Sequence, residues 1–213
     1  MRLYAIAALV PLVLLASQAQ AQTQAHAQAQ DRLPTIPPAQ YTDAQRQAAA
    51  DYQAARQAPV SGPFEVMMHS PEVMSRARAM GDYLRFHSGI GNTLSELVIA
   101  ITAREWTQDY EWEVHAPIAL KAGIRPEIIA AIRDGTRPEG LSADEAIVYD
   151  ATTELLRSKR LSDATFARAE KRFGKPAVVD MVGIAGYYSL LAMQLNAAQY
   201  KPPAGTRLPR FPE

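Results

Sequence analysis

Between residues 177 and 198 the apolar positions Met181, Ile184, Tyr188, Leu191 and Leu195 recur at three- and four-residue steps. That spacing is the buried stripe of a helix. Gly183 and Gly186 interrupt the segment and predict a neighbouring helix at close approach. Helix punctuation recurs upstream. Ser70-Pro71-Glu72 reads as an N-cap, a proline in the first turn and an acid beside it. Gly123 closes one helix and Pro126 opens the next. Ser142-Ala143-Asp144-Glu145 is a capping box, Ser162 a further cap, Gly174 a stop and Pro176 a new start. Helices are expected over 41–57, 71–87, 94–107, 109–122, 126–133, 143–158, 163–173 and 177–198. Sustained period-2 alternation and solenoid-length repeats are absent. The class expected is all-α, a compact bundle of six to eight helices.

The two ends break this pattern. Arg2 precedes an apolar run from Leu3 to Ala16, broken by Pro11, and Ala19-Gln20-Ala21 offers small residues at the positions a signal peptidase reads. The run is shorter than the roughly 18–20 apolar residues of a permanent span. Residues 1–21 are expected to be a signal peptide cleaved after Ala21, with an uncleaved anchor as the alternative. The expected destination is a periplasm or the exterior, without membrane attachment once the signal is cut. Residues 22–40 are rich in Gln, Ala and Pro and read as a disordered linker that contains His26. Residues 201–213 carry four prolines and read as a non-helical tail. The body is then 41–200.

Composition narrows the chemistry. The chain of 213 residues has no cysteine, which removes disulfides, thiolate nucleophiles, zinc fingers and iron–sulfur clusters. Its 22 basic residues balance its 22 acidic ones, so charge gives no reason to expect nucleic acid. The four histidines, at 26, 69, 87 and 115, lie far apart in sequence.

The densest chemistry lies between Glu105 and Pro117. This stretch holds both tryptophans, five acidic or amide side chains and His115. On a helix Glu111 and His115 share a face, so a carboxylate could orient an imidazole for acid/base work. Pro117 should kink or restart the helix close to His115. Trp106, Tyr110 and Trp112 are of a kind more often used as core or interface anchors than as a ligand box, though they could supply apolar walls. Glu96 also has a plain structural reading, as the closing residue of a Thr93-Leu94-Ser95-Glu96 capping box.

These residues resemble the carboxymuconolactone decarboxylase family, which includes the alkylhydroperoxidase D-like proteins. The resemblance runs from about Pro63 to Tyr200. It is carried by Leu94-Ser95-Glu96-Leu97-Val98-Ile99, by Tyr110-Glu111-Trp112-Glu113-Val114-His115, and by Ala119-Leu120-Lys121-Ala122-Gly123. The redox branch of that family has a Glu followed by Cys-x-x-Cys-x-x-x-His on the next helix. On this chain the Glu matches Glu96 and the His matches His115. Gln108 and Glu111 stand where the two cysteines would be.

The resemblance implies the alkylhydroperoxidase D-like helical fold, homotrimers or homohexamers, and a small-molecule substrate. Peroxide reduction by the redox branch requires an attacking thiolate and a resolving thiol, so an antioxidant role rests on the family label alone. The decarboxylase branch needs no thiol, metal or cofactor. By that likeness His115 would be the acid/base, with Glu111 or Glu96 orienting it. Gln108, Trp112, Arg85 and His87 would meet a small carboxylated or lactone substrate, with His69 a weaker candidate. Two alternatives stay open: a ligand-binding protein without catalysis, and a divalent metal held by Glu96, Glu111 and His115.

Overall fold

The computed structural model describes residues 32–200; the expected signal peptide and Pro-rich tail lie outside them. Its central element is a helix with almost no polar face. Residues 95–104, which include Leu97-Val98-Ile99-Ala100-Ile101, are all buried, and a helix that is apolar all round belongs inside a protein. Eight helices are present among the described residues: α1 (Asp43–Arg56), α2 (Pro63–Met67), α3 (Pro71–Phe86), α4 (Asn92–Glu105), α5 (Asp109–Lys121), α6 (Pro126–Arg133), α7 (Ala143–Ser158) and α8 (Asp163–Ala198). No strand occurs among those residues. The central helix is α4, in contact with α3, α5, α6, α7 and α8. The long α8 also packs against α2, α3 and α7.

Local chemistry accounts for most boundaries. In the α7 capping box the Ser142 hydroxyl accepts from the Glu145 amide, and the Glu145 carboxylate accepts from the Ser142 amide. Thr42 and Gln45 close an equivalent box on α1. Ser162 caps α8, and Pro126 occupies the first turn of α6. The two helices expected over 163–173 and 177–198 abut as one element, broken at Gly174 (φ 82°, ψ 160°). Only glycine takes that conformation freely. Of the anticipated stripe Met181, Ile184, Tyr188, Leu191 and Leu195, every member is buried.

Four expectations are corrected. Ser70 precedes α3, but its side chain caps nothing. The Thr93–Glu96 box does not exist, because α4 already begins at Asn92 behind Gly91. Thr93 instead donates to the Ala122 carbonyl at 2.7 Å. The helix around His115 does not restart there: it runs from Asp109 through Pro117 to Lys121. The short α2 had no periodic signal to announce it. Of the stretch read as linker, the described part from Arg32 lies against the body: the Arg32 amide donates to the Ala198 carbonyl at 2.9 Å, and the Pro34 carbonyl faces His69 Nε2 at 3.0 Å.

Close approach of α3 and α8 depends on absent side chains. A Cβ on Gly183 would stand 3.0 Å from a Leu84 methyl, and one on Gly81 only 2.3 Å from the Tyr187 hydroxyl. Gly186, expected to serve the same purpose, has open space around it. The Gly81 contact fixes the Tyr187 ring on the wall of the cavity described next.

Candidate active site

Two helices supply the reactive groups. In α4, Glu96 is fully enclosed. The chain then turns at Thr107, in the left-handed region at φ 47°, and restarts at Gln108. The Gln108 side-chain oxygen accepts from the Tyr110 and Glu111 amides and so caps α5. One turn apart on α5, Glu111 and His115 are both buried.

His115 is held from one side only. Its Nδ1 lies 2.8 Å from Glu96 Oε2. A carboxylate can only accept, so Nδ1 carries the hydrogen and Nε2 keeps its lone pair. The other Glu96 oxygen accepts from Arg85 Nε at 3.3 Å. The Tyr188 ring meets the imidazole edge-on, with centroids 5.0 Å apart. On the far side, Nε2 faces Glu111 Oε2 at 3.6 Å, too long for a hydrogen bond. Glu111 Oε1 is buried and has no hydrogen-bond partner among the described residues.

His115 and Glu111 open onto a cavity of about 220 Å³. Arg85, Tyr110, Val114 and Tyr188 share its wall with them, as do Arg56 and Tyr187. A second, larger cavity of about 350 Å³ lies between the N-terminal segment and α1. Its wall is mainly apolar, with Ile36, Tyr41, Val60 and Met68, and Glu65 is its one acid.

Burial sets the protonation states. It pushes the Glu111 carboxyl up to about 8, the Glu96 charge acting in the same direction and Arg85 against it. Burial also lowers His115 below its ordinary value, against the raising effect of the Glu96 hydrogen bond and charge. The Tyr188 hydroxyl is driven well up by burial, and Tyr110 rises to about 12 for the same first reason. At neutral pH the cavity therefore presents a neutral imidazole with a free lone pair beside a carboxyl that still holds its proton. One can take a proton and the other can give one.

The structure thus brings together His115, Glu96, Glu111 and Arg85. Glu96, not Glu111, orients the ring. Gln108 stands apart from the cavity: its oxygen caps α5 and its nitrogen donates to Asn196 Oδ1 at 2.9 Å. Trp112 is packed in the core. His87 sits at the exposed end of α3, and neither it nor Trp112 lines the cavity. The alternative metal set is not assembled, because Glu96 and Glu111 face opposite nitrogens of the same ring. Among the described residues no cluster of three His, Asp or Glu could hold a metal ion. Arg56 and Tyr187 went unmarked in the sequence. Arg56 looks like any surface arginine at a helix end, and nothing near it announces Asp82, its partner 26 residues on.

A solved structure from Ralstonia eutropha JMP134, described as an alkylhydroperoxidase AhpD core and an uncharacterized peroxidase-related protein, superimposes with a TM-score of 0.64. The match covers 80% of this chain and 91% of that one, at 16% identity. The fold is alkylhydroperoxidase D-like. No family model matches the chain, and no curated protein matches it in sequence. At this identity the likeness speaks for architecture alone. The peroxidase-related description belongs to the Ralstonia protein, and this chain has no thiol with which to reduce a peroxide.

Proposed function

We propose that this protein is a cofactor-free proton-transfer enzyme, a lyase or isomerase acting on a small carboxylated or lactone substrate. The carboxymuconolactone decarboxylase branch is the part of the family whose chemistry fits such residues. One observation carries the reading: His115 Nε2 is free on the cavity wall, 3.6 Å from a Glu111 carboxyl that burial keeps protonated.

In an isomerisation, Nε2 removes a proton from the carbon beside a carbonyl, and the C–H electron pair moves into an enolate. The Glu96 carboxylate stabilises the imidazolium that forms. Glu111 then gives its proton to the substrate, and His115 returns the abstracted proton to Glu111, directly or through water. In a decarboxylation the C–CO₂ bond breaks instead, its electron pair forms the same enolate, Glu111 protonates the carbon, and solvent water returns a proton to Glu111. Guanidinium groups on the wall balance the developing charge.

We further infer action after export, supported by the leader-like residues 1–21, and assembly as a homo-oligomer. Exposed apolar side chains on two mutually packed helices support the assembly: Met80, Tyr83 and Phe86 on α3, and Val179, Val182 and Met193 on α8.

The test is a panel of small carboxylic acids and lactones incubated with the full chain in D₂O. Mass spectrometry would follow deuterium uptake at carbon and loss of CO₂. Deuterated or decarboxylated product is expected with the native protein and none above background with His115→Ala at unchanged circular dichroism. Undiminished product formation by that variant overturns the assignment. Ligands that bind without product would show a binding protein instead.

A further inference from the structure

The cavity has a second cationic group whose surroundings differ from those of Arg85. Arg56, at the end of α1, turns both Nε and Nη2 to Asp82 Oδ1, at 3.0 and 2.9 Å. Its guanidinium lies over the Phe64 ring, 4.5 Å from the centroid, and 5.2 Å from that of Tyr52. Asp82 is not its alone. Arg78 Nη1 donates to the other Asp82 oxygen at 2.7 Å, so two guanidinium groups share one carboxylate.

Arg85, by contrast, is matched by Glu96. Among the residues lining the cavity Glu111 is the single acid, and burial keeps it neutral through physiological pH. Among the described residues the Arg56–Asp82–Arg78 group therefore leaves one positive charge at the cavity unmatched. A second observation points to a ligand at the same place. Tyr187 lines the cavity beside Arg56 and is 3% exposed; its hydroxyl oxygen lies within reach of the Arg56 guanidinium, and among the described residues its hydrogen finds no acceptor. A buried donor with no acceptor is costly unless something else supplies one.

We propose that Arg56 and Tyr187 form an anion subsite that holds the carboxylate of a small monoanion with a flat, unsaturated or aromatic body. This rests on the reading above for what happens next to that carboxylate, but not for the binding itself. With Nε and Nη2 on Asp82, Arg56 keeps Nη1 and the outer hydrogen of Nη2 for carboxylate oxygens, and the Tyr187 hydroxyl adds one more donor. Tyr52, Phe64, Tyr110 and Tyr188 provide the apolar faces. The cavity volume equals that of about seven waters, enough for a single-ring acid.

Titration calorimetry of the full chain with benzoate and with benzamide, its neutral isostere, tests the subsite. Benzoate is expected to bind about tenfold or more tightly than benzamide. Arg56→Gln should abolish that preference. Should Arg56→Gln fail to fold, Tyr187→Phe removes only the unpaired hydroxyl and should lower benzoate affinity several-fold while leaving benzamide affinity unchanged. Equal affinity of the native protein for the two probes overturns the subsite, as does a folded Arg56→Gln that keeps the preference. Because the readout is binding, a failure of the proton-transfer reading leaves this result standing. Turnover without benzoate preference would refute the subsite and spare the enzyme.

Discussion

Glu111→Gln is expected to make the protein more stable and its turnover far slower. The native carboxyl holds its proton up to about pH 8, whereas the same group in the unfolded chain releases it near its ordinary value of 4.5. Between those two values the native state binds the extra proton. The contribution of this group to stability is accordingly greatest below about 4.5, falls as pH rises, and stops falling above about 8. Glutamine has almost the same shape, leaves the same unpartnered position occupied, and does not titrate. The variant should match the native protein near pH 4 and exceed it by roughly 3 kcal/mol at pH 7. Urea melts at several pH values would read this as two curves that separate between 4.5 and 8. Turnover of any substrate found in the D₂O panel should fall on the order of 10²–10⁴-fold, since an amide cannot give up a proton. Such a trade of stability for function is expected of a group retained for its chemistry. Curves that coincide at pH 7 would mean that Glu111 is ionised in the native protein.

Glu96→Gln should cost both quantities. Glu96 joins two cations or potential cations in the interior, accepting from His115 Nδ1 at 2.8 Å and from Arg85 Nε at 3.3 Å. Neutralising it leaves Arg85, whose side chain is only 22% exposed, without its counter-charge. Losing one member of a buried pair costs about 3–5 kcal/mol, and the solvent still reaching Arg85 places this case toward the lower end. The imidazole also loses the acceptor that fixes its tautomer, so turnover should drop by about 10²-fold or more. The contrast in sign is diagnostic. Two isosteric changes of buried glutamates, either side of one ring, should move stability in opposite directions and activity in the same direction.

How much of this was legible in the sequence follows from how local each determinant is. Ser142, Ser162, Pro126 and Gly174 act on their own chain neighbours, and the helices they bound fall where the sequence puts them. The stripe from Met181 to Leu195 was legible for the same reason. Pro63–Met67 is too short to show a period, and Gly62 before it (φ 60°) leaves no mark that separates it from a loop glycine. Glu96 and His115 could be paired through the family spacing, although sequence left Glu96 with a capping role that a helix start two residues earlier removes. The parts that stayed hidden are all relations across space. Gln108 is committed to a cap and to Asn196, 88 residues away. Trp112 faces the core instead of the cavity. Whether Glu111 would orient His115 or confront its free nitrogen turned on which side of the ring α4 delivers Glu96, and no spacing rule states that. Arg56 became visible only when folding put Asp82 between it and Arg78.

Proton transfer at this site depends on the state of one imidazole. Nitrogen NMR of the ¹⁵N-histidine-labelled full chain, assigned by the signals missing from His115→Gln, reports both ring nitrogens of His115 directly. At pH 7 the expected spectrum is a neutral ring with hydrogen on Nδ1 and a lone pair on Nε2, which takes up a proton only below the ordinary histidine value of 6.5. An imidazolium at pH 7, or a neutral ring with its hydrogen on Nε2, would contradict it.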